Sequence, residues 1–448
     1  MGSFARKLLA VLVAAVALTI LAVVPTPSDH VAACAFLRTP DAYEAEAERS
    51  TYLSTIDAAS VDALFPGDPY FGIPTVEVGT RNSRADSTIR RVPSTLLKAI
   101  AWEESSLTMA SRATHFESIG TALVTFDCGH GIMQVTTGMT IPLGLDSVPT
   151  SQQVNVATHY GYNIARGAVI LVDKWNAAPQ IRPVVGTDTE SNPDLIENWY
   201  MATWSYNGFA GPGSLSSNHP LDPTFGAWPR PSYQCDGTQS RRRYPYQELV
   251  WGCIGSPPQQ EGALLWQSIP ASLPDLSQPQ FAAPFSLGNW SFPYSAMDIP
   301  TPQPAHVDNP PTLTGSEGAT VRGGPILDVE EREILIRLNG LPQEQRGSVT
   351  VTNPGAGLLS WAAETDDKWL IMEPSAGVAL GVNVVCEPPN CDRAAEVTIS
   401  VNPTLLPKAN TIGSIRIVPA NSEFPPWRVT VEVDADFEVA APGTSRAN

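Results

Sequence analysis

The spacing of apolar residues changes along the chain and separates two kinds of fold. From residue 93 to about 265 the apolar residues recur with the period of an α-helix, after a helical lead-in with turns over residues 34–92. From about residue 325 the period becomes two, with alternating segments at 348–352, 396–401, 414–417 and 428–433. Turn residues separate these segments at the spacing of a β-sandwich. We therefore expect a multidomain chain in which an α-rich (α+β) domain, residues 93–267, precedes an all-β sandwich, residues 323–440.

Proline dominates the stretch between these two parts. Residues 268–322 contain ten prolines and few charges. Proline lacks the backbone donor and holds its φ angle near one value, so this stretch can form neither a continuous helix nor a central strand. We expect a semi-extended linker with few contacts to either side, so that each domain has its own core.

The first 33 residues have the pattern of an export signal. Arg6 and Lys7 precede an apolar run over residues 8–24, and a polar stretch follows. Val31-Ala32-Ala33 fits a signal-peptidase site, and together with Cys34 it also fits a lipoprotein box. A cleaved signal peptide, a retained membrane anchor and a lipidated Cys34 all stay open. Each places the chain outside the cytoplasm, secreted or in the cell envelope, with membrane contact only in the last two cases.

Charge argues against one class of partner. The chain of 448 residues has 27 Lys and Arg against 45 Asp and Glu, a formal net charge of −18. Broad nucleic-acid binding needs clustered cations, and the run 241–243 is too short to supply them. Only 16% of the residues are charged, and 42 are prolines, which suits an exported, modular protein.

Six cysteines in an exported chain suggest disulfides. Cys386 and Cys391 close a local turn, and Cys235 and Cys253 flank a basic, turn-rich loop. The remaining two residues, Cys34 and Cys128, pair with each other unless Cys34 is lipidated, in which case Cys128 is free. Because the sequence has neither a Cys-x-x-Cys pair nor a histidine cluster, we expect no metal and no cofactor.

One helix carries a candidate acid. Turn and capping chemistry predicts a helix that begins at Pro93-Ser94-Thr95. One stripe of that helix holds Leu97, Ile100, Ala101 and Glu104. This predicts that Glu104 faces the core, with a raised pKa that makes it a proton donor near neutral pH. Its neighbour Glu103 turns away by about 100° and is expected to be more solvated.

Four short motifs follow one another in a recognisable order. They are Glu104-Ser105, Gly131-Ile132-Met133-Gln134, Asn163-Ile164 with Gly167, and Tyr206-Asn207-Gly208. In this order they resemble the soluble lytic transglycosylase family of the lysozyme superfamily, which also includes goose-type lysozymes.

The resemblance implies a lysozyme-like domain that cleaves the β-1,4 bond between N-acetylmuramic acid and N-acetylglucosamine in peptidoglycan. Glu104 would act as the single general acid and base, leaving 1,6-anhydromuramyl ends. Ser105, Met133 and Gln134 would line the cleft. Tyr206 and Asn207 would hold Glu104 and the sugar by hydrogen bonds. Glycan strands of peptidoglycan are then the partner.

Two alternatives to this function stay open. The stretch before Gly131 is longer than the family pattern and contains Asp127 and His130. Asp127 either caps a turn or positions a water, and in the second case the protein is a goose-lysozyme-like hydrolase. The other alternative is a non-catalytic wall-binding or adhesive protein.

The C-terminal part resembles the BACON-type immunoglobulin-like sandwich, found beside carbohydrate-active enzymes. The resemblance rests on the segments around Leu359-Ser360-Trp361, Asp367-Lys368-Trp369 and residues 412–415. The family name suggests a second glycan partner at this domain. We expect Trp361 and Trp369 to lie in the sandwich core rather than on an exposed sugar platform.

Overall fold

The computed structural model describes residues 34–140, 148–181, 183–209, 217–277, 298–315, 317, 323–386, 391, 393–421 and 424–435. The predicted export segment, residues 1–33, lies outside them. No helix in these ranges is long and apolar enough to cross a membrane.

The first part is helix-rich, as the apolar spacing predicted. Its described α-helices are α1 Ser50–Ser60, α2 Ser94–Ser105, α3 Ser151–Thr158, α4 Tyr160–Ile181, α5 Tyr200–Tyr206 and α6 Tyr246–Gly255. Short ribbons accompany them: β1 Asp41–Glu44 with β2 Ser118–Thr121, β3 Val184–Val185 with β6 Asp298–Ile299, and β4 Gln259–Gln260 with β5 Ala263–Leu264. The long helix α4 packs against α1, α3 and α5, while α2 packs against α1 and α6.

Helix α2 begins where the sequence predicted and is buried on almost every side. Pro93 is its N-cap, and Ser106 ends it in the left-handed conformation at φ 59°. Leu96, Leu97 and Ile100 are fully buried. A helix that is buried all round belongs to the centre of a domain, because each of its faces needs an apolar partner.

The C-terminal part is a sandwich of two sheets. Its described strands are β7 Asp328–Val329, β8 Glu333–Arg337, β9 Gly347–Thr352, β10 Leu358–Thr365, β11 Leu370–Glu373, β12 Ala376–Leu380, β13 Ala394–Val401, β14 Asn410–Pro419 and β15 Trp427–Asp434. One sheet has the order β12-β10-β14-β15-β8, and the other has the order β11-β13-β9-β7. All four predicted alternating segments are strands. Trp361 and Trp369 lie in the core between the sheets, which confirms that expectation.

The prediction that the proline-rich linker makes few contacts is wrong for its described residues 268–277 and 298–308. In the first stretch, Trp251 Nε1 donates to the Ser272 carbonyl at 3.0 Å, and Leu276 is buried. In the second stretch, strand β6 pairs in parallel with β3. Further on, the Ile196 amide donates to the His306 carbonyl at 3.1 Å, and the Thr95 amide at the start of α2 donates to Asp308 Oδ2 at 2.8 Å. An extended chain exposes its backbone groups, and here the edge of the helical part pairs with them. We call residues 298–308 the strap.

The expectation that each domain has its own core holds for the sandwich but is wrong for the helical part, whose core includes residues of the sandwich. Strand β10 is buried on both faces: Leu359 and Trp361 belong to the sandwich core, whereas Leu358 and Ala362 belong to the core of the helical part. Strands β10 and β12 pack on α3, and β12 also packs on β1. The reason is visible in the sequence 358–363, which lacks the polar alternation of a strand with one solvated face.

Candidate active site

The turn formed by residues 131–134 is fastened to helix α4 by one buried asparagine. Asn163 Nδ2 donates to the carbonyls of His130 at 2.7 Å and Val156 at 2.9 Å, and its Oδ1 accepts from the Met133 amide at 2.9 Å. One helical turn later, a Cβ on Gly167 would lie 2.6 Å from Met133 Cγ. Asn163 therefore holds this turn by hydrogen bonds, and Gly167 leaves the space that the Met133 side chain occupies.

Helices α2 and α5 hold the same turn from two other sides. Ser105 Oγ donates to the Ile132 carbonyl at 2.8 Å, and the Tyr206 hydroxyl donates to the Met133 carbonyl at 2.8 Å. All four sequence motifs thus meet at one place. Ser105 and Met133 are buried, with 7% and 0% of their surface exposed. The prediction that their side chains line a cleft is wrong, because both are used to position the turn.

Gln134, Tyr206 and Asn207 line a cavity of about 260 Å³ on the solvent side of the turn. Gln134 Nε2 donates to the Gly131 carbonyl at 2.8 Å, and its Oε1 lies 2.9 Å from Thr125 Oγ1. These three predicted cleft residues are the ones the structure places on an open surface.

Glu104 is half-buried at the end of α2 and is held by a tyrosine from α6. The Tyr246 hydroxyl donates to Glu104 Oε1 at 2.6 Å. Burial raises the pKa of Glu104, with smaller contributions from the charges of Glu103 and Asp127. Tyr246 and Arg241 act to lower it, and the net pKa is about 7. A carboxyl with this pKa exchanges its proton at neutral pH, as a general acid and base must.

The predicted hydrogen bonds from Tyr206 and Asn207 to Glu104 are not the ones that form. Tyr206 donates to the turn, and burial together with the nearby Glu104 charge raises the pKa of its hydroxyl, which keeps it a donor. Asn207 is exposed and accepts from Asn218 Nδ2 at 3.1 Å. Sequence reasoning missed Tyr246. A usable signal was present, since Tyr246 lies in the segment that the predicted disulfide between Cys235 and Cys253 closes.

Glu103, expected to be solvated, is the more buried of the two acids, with 4% of its surface exposed. Its Oε2 forms an ion pair with Arg241 Nη2 at 2.6 Å, and its Oε1 lies 3.0 Å from Cys253 Sγ. The expectation that Glu103 is the more solvated of the two acids is wrong, because α6 packs against α2 on the side that carries Glu103. Burial raises the pKa of Glu103 to about 7 despite the lowering effect of Arg241.

Glu103 also lies with two cysteines in an arrangement that resembles a metal site. The ligand atoms of Glu103, Cys235 and Cys253 are within 4.8 Å of one another. The two sulfur atoms are joined in a disulfide, however, and a cysteine binds metal as a thiolate. This cluster is therefore not a metal centre in the oxidised protein.

All three predicted disulfides are present: Cys34–Cys128, Cys235–Cys253 and Cys386–Cys391. The first fastens the turn that carries Asp127, and while it is formed Cys34 has no free thiol to carry a lipid. The second closes the loop that brings Arg241 to Glu103 and Tyr246 to Glu104. Cross-links of this kind are typical of proteins outside the reducing cytoplasm.

Asp127 and His130 have different surroundings on the stretch before the turn. Asp127 is exposed, accepts from Thr125 Oγ1 at 2.7 Å, and contributes to the raised pKa of Glu104. His130 is buried, its Nδ1 lies 2.7 Å from the Cys128 carbonyl, and burial lowers its pKa to about 4. Of the two, Asp127 is the one that can meet a substrate or a water.

Buried acids predict how the stability of the protein depends on pH. Burial raises the pKa of Asp41 to about 6 and of Glu44 to about 7, as it does for both acids of α2. The folded state therefore binds more protons than the unfolded state between the ordinary carboxyl pKa and about pH 7. It follows that the free energy of unfolding falls as the pH rises through this window.

We expect the denaturant midpoint to decrease from pH 6.5 to pH 8. His130 and His219 oppose this fall at the lower end of the range, because burial lowers their pKa to about 4 and an unfolded histidine is half protonated near pH 6.5, but the acids with raised pKa outnumber them. Glu44→Gln should make the midpoint depend less on pH, because it removes one acid whose pKa is raised. Glu44 is buried and accepts from the amides of Met109 and Ala110, both at 2.9 Å. One proton corresponds to about 1.4 kcal/mol per pH unit at most. The exposed Glu48→Gln is the matched control, and equal slopes in both variants would contradict the assignment.

Comparisons with known proteins reach only part of the chain. No protein-family model matches it, and no curated protein matches it. Similar solved structures include the YadV chaperone (13% identity, TM-score 0.19, 25% of this chain and 52% of that chain). They also include the Pseudomonas aeruginosa CupB2 chaperone (11%, 0.18, 24% and 54%) and a PapD-like domain of human CEP192 (11%, 0.19, 29% and 93%). The chain spans about half the length of these chaperones. Likenesses at such TM-scores say nothing about function.

Proposed function

We propose that the protein is an extracytoplasmic lytic transglycosylase that cleaves peptidoglycan glycan strands with Glu104 as its general acid and base. The observation that carries this proposal is the setting of Glu104. It is half-buried, has a pKa of about 7, and is held by Tyr246 next to a turn that three helices position. The convergence of the four motifs on this turn supports a lysozyme-like arrangement of the helical part.

Each step of the proposed reaction uses a group of this site. Protonated Glu104 donates its proton to the glycosidic oxygen as the bond to the muramyl C1 breaks. The resulting carboxylate is stabilised by the Tyr246 hydroxyl at 2.6 Å. It then takes the proton of the muramyl 6-hydroxyl, whose oxygen attacks C1 and closes the 1,6-anhydro ring. The nucleophile belongs to the substrate, so one protein carboxyl serves both steps.

One observation favours a second candidate, hydrolysis. Asp127 is exposed and its charge influences Glu104. A carboxylate there can orient a water toward the sugar, as the second acid of an inverting glycosidase does. The product would then be a reducing end instead of an anhydro end.

Mass spectrometry of a peptidoglycan digest distinguishes these reactions. We expect products that lack one water relative to reducing muropeptides, and an Asp127→Asn variant that still forms them. Reducing ends that disappear in Asp127→Asn would instead show hydrolysis with Asp127 in the reaction. A protein that releases no fragment from purified peptidoglycan would be the non-catalytic wall-binding protein.

A further inference from the structure

The cavity beside Gln134 and Tyr206 has a cationic wall. One stripe of helix α4 runs from the turn into this cavity, because positions three and four apart share a helix face. Its members are Asn163, Gly167, Ile170 and Lys174. The first two hold the turn, as described above, and the last two line the cavity. The helix face that positions the turn through Asn163 and Gly167 therefore also places the Lys174 ammonium group beside it.

Lys174 differs from a lysine that neutralises an acid of its own protein. Lys98, for comparison, pairs with Asp57 at 2.7 Å. Lys174 is half-buried and forms no ion pair with any residue in the described ranges, and its charge acts on the exposed neighbour Asp173. The other residues that line the cavity are uncharged. The Lys174 ammonium group can therefore pair with an anionic group of a ligand in the cavity.

The position of Lys174 contrasts with the overall negative charge of the chain. A protein with a formal net charge of −18 repels an anionic polymer at long range. Salt screens this repulsion beyond about 8 Å. For an anionic group bound in the cavity, the nearby ammonium of Lys174 is therefore the main electrostatic contribution. Each N-acetylmuramic acid carries a lactyl carboxyl, either free or joined to a stem peptide that has carboxylates of its own.

We propose that this cavity is a subsite for a carboxylate substituent of the glycan strand, and that Lys174 is the residue that binds it. The proposal rests on the proposed function for the identity of the glycan. Gln134, Tyr206 and Asn207 would contact the sugar that bears the substituent, since they line the same cavity. Lys174 is thus a specificity residue, distinct from the group that transfers the proton.

The test measures binding separately from cleavage. The Glu104→Gln chain is titrated calorimetrically with four ligands: peptide-free strands with lactyl carboxylates, the same strands amidated, strands with stem peptides, and neutral chitooligosaccharides. We expect carboxylate strands to bind about tenfold more tightly than amidated strands, as for a charge-assisted contact. Lys174→Met should abolish this ratio, and Lys174→Arg should keep it. Lys408→Met, an exposed change of equal charge on the sandwich, should also keep it.

Each outcome decides something. The affinities of the peptide-free strands and of the strands with stem peptides are each divided by the affinity of the amidated strands. The larger ratio that depends on Lys174 identifies the source of the carboxylate, the lactyl group or the stem peptide. An unchanged ratio in Lys174→Met, or a parent chain that binds none of the four ligands, overturns the subsite. Failure of the unaltered chain to cleave any of these strands, with the ratio intact, overturns the proposed reaction and leaves the subsite standing.

Discussion

Replacing Glu104 with glutamine should abolish most glycan cleavage while the protein stays folded. The glutamine side chain keeps the shape and accepts from Tyr246 through its carbonyl oxygen, but it cannot donate or take the proton. Loss of general acid–base help costs about 10²- to 10⁴-fold in rate, and the loss should lie at the upper end where one group serves two steps. Release of soluble fragments from purified peptidoglycan measures the effect, with circular dichroism to confirm folding.

Glu103→Gln is the matched control, adjacent in sequence and identical in chemistry. It removes a buried charge that pairs with Arg241 at 2.6 Å and contacts the Cys235–Cys253 disulfide. We expect lower thermal stability and a rate at pH 5 to 6 within about tenfold of the parent. Because the Glu103 charge raises the pKa of Glu104, the loss of activity at high pH should move to lower pH. Equal rate losses in both variants, or an active Glu104→Gln, would remove Glu104 from the reaction.

A chain that ends at Pro270 should fail to fold stably, although the proline-rich linker suggested independent domains. The truncation removes the sandwich face that covers α3 and β1, where Thr158 Oγ1 donates to Ser360 Oγ at 3.0 Å. It also removes every described partner of the Glu197 side chain. That fully buried carboxylate accepts from the amides of Ser272 at 3.1 Å and His306 at 2.9 Å, and contacts His306 Nδ1 at 2.8 Å. An uncompensated buried charge alone costs about 3–5 kcal/mol.

A second truncation separates the two contributions. A chain that ends at residue 315 keeps the strap and the partners of Glu197 but still lacks the sandwich. We expect it to recover part of the thermal stability of the full chain. Soluble yield and the midpoint of thermal unfolding measure this recovery. If the chain that ends at Pro270 unfolds at the temperature of the full protein, the contacts of the strap and the sandwich are not stabilising.

Local chemistry was sufficient to predict several features from the sequence. The start of α2 after Pro93 follows from the fixed φ angle of proline, and the four strands follow from a period of two over a few residues. The pairings Cys235–Cys253 and Cys386–Cys391 follow from short separations of 18 and 5 residues along the chain. The turn 131–134 was predicted from its resemblance to the motif of a known family, in order with three other motifs.

Other features needed the packed structure. Helical period alone places Glu103 and Glu104 about 100° apart, but it cannot say which side another helix covers. Helix α6 covers the Glu103 side and brings Tyr246 to Glu104 from 142 residues away in the chain. The same holds for β10, whose second buried face depends on where α3 lies. The sequence by itself thus determined which residue types could form a proton-transfer site and which elements carry them. Only tertiary packing decided which of two adjacent acids is buried in an ion pair and which meets the solvent, because burial is a property of what lies opposite a side chain.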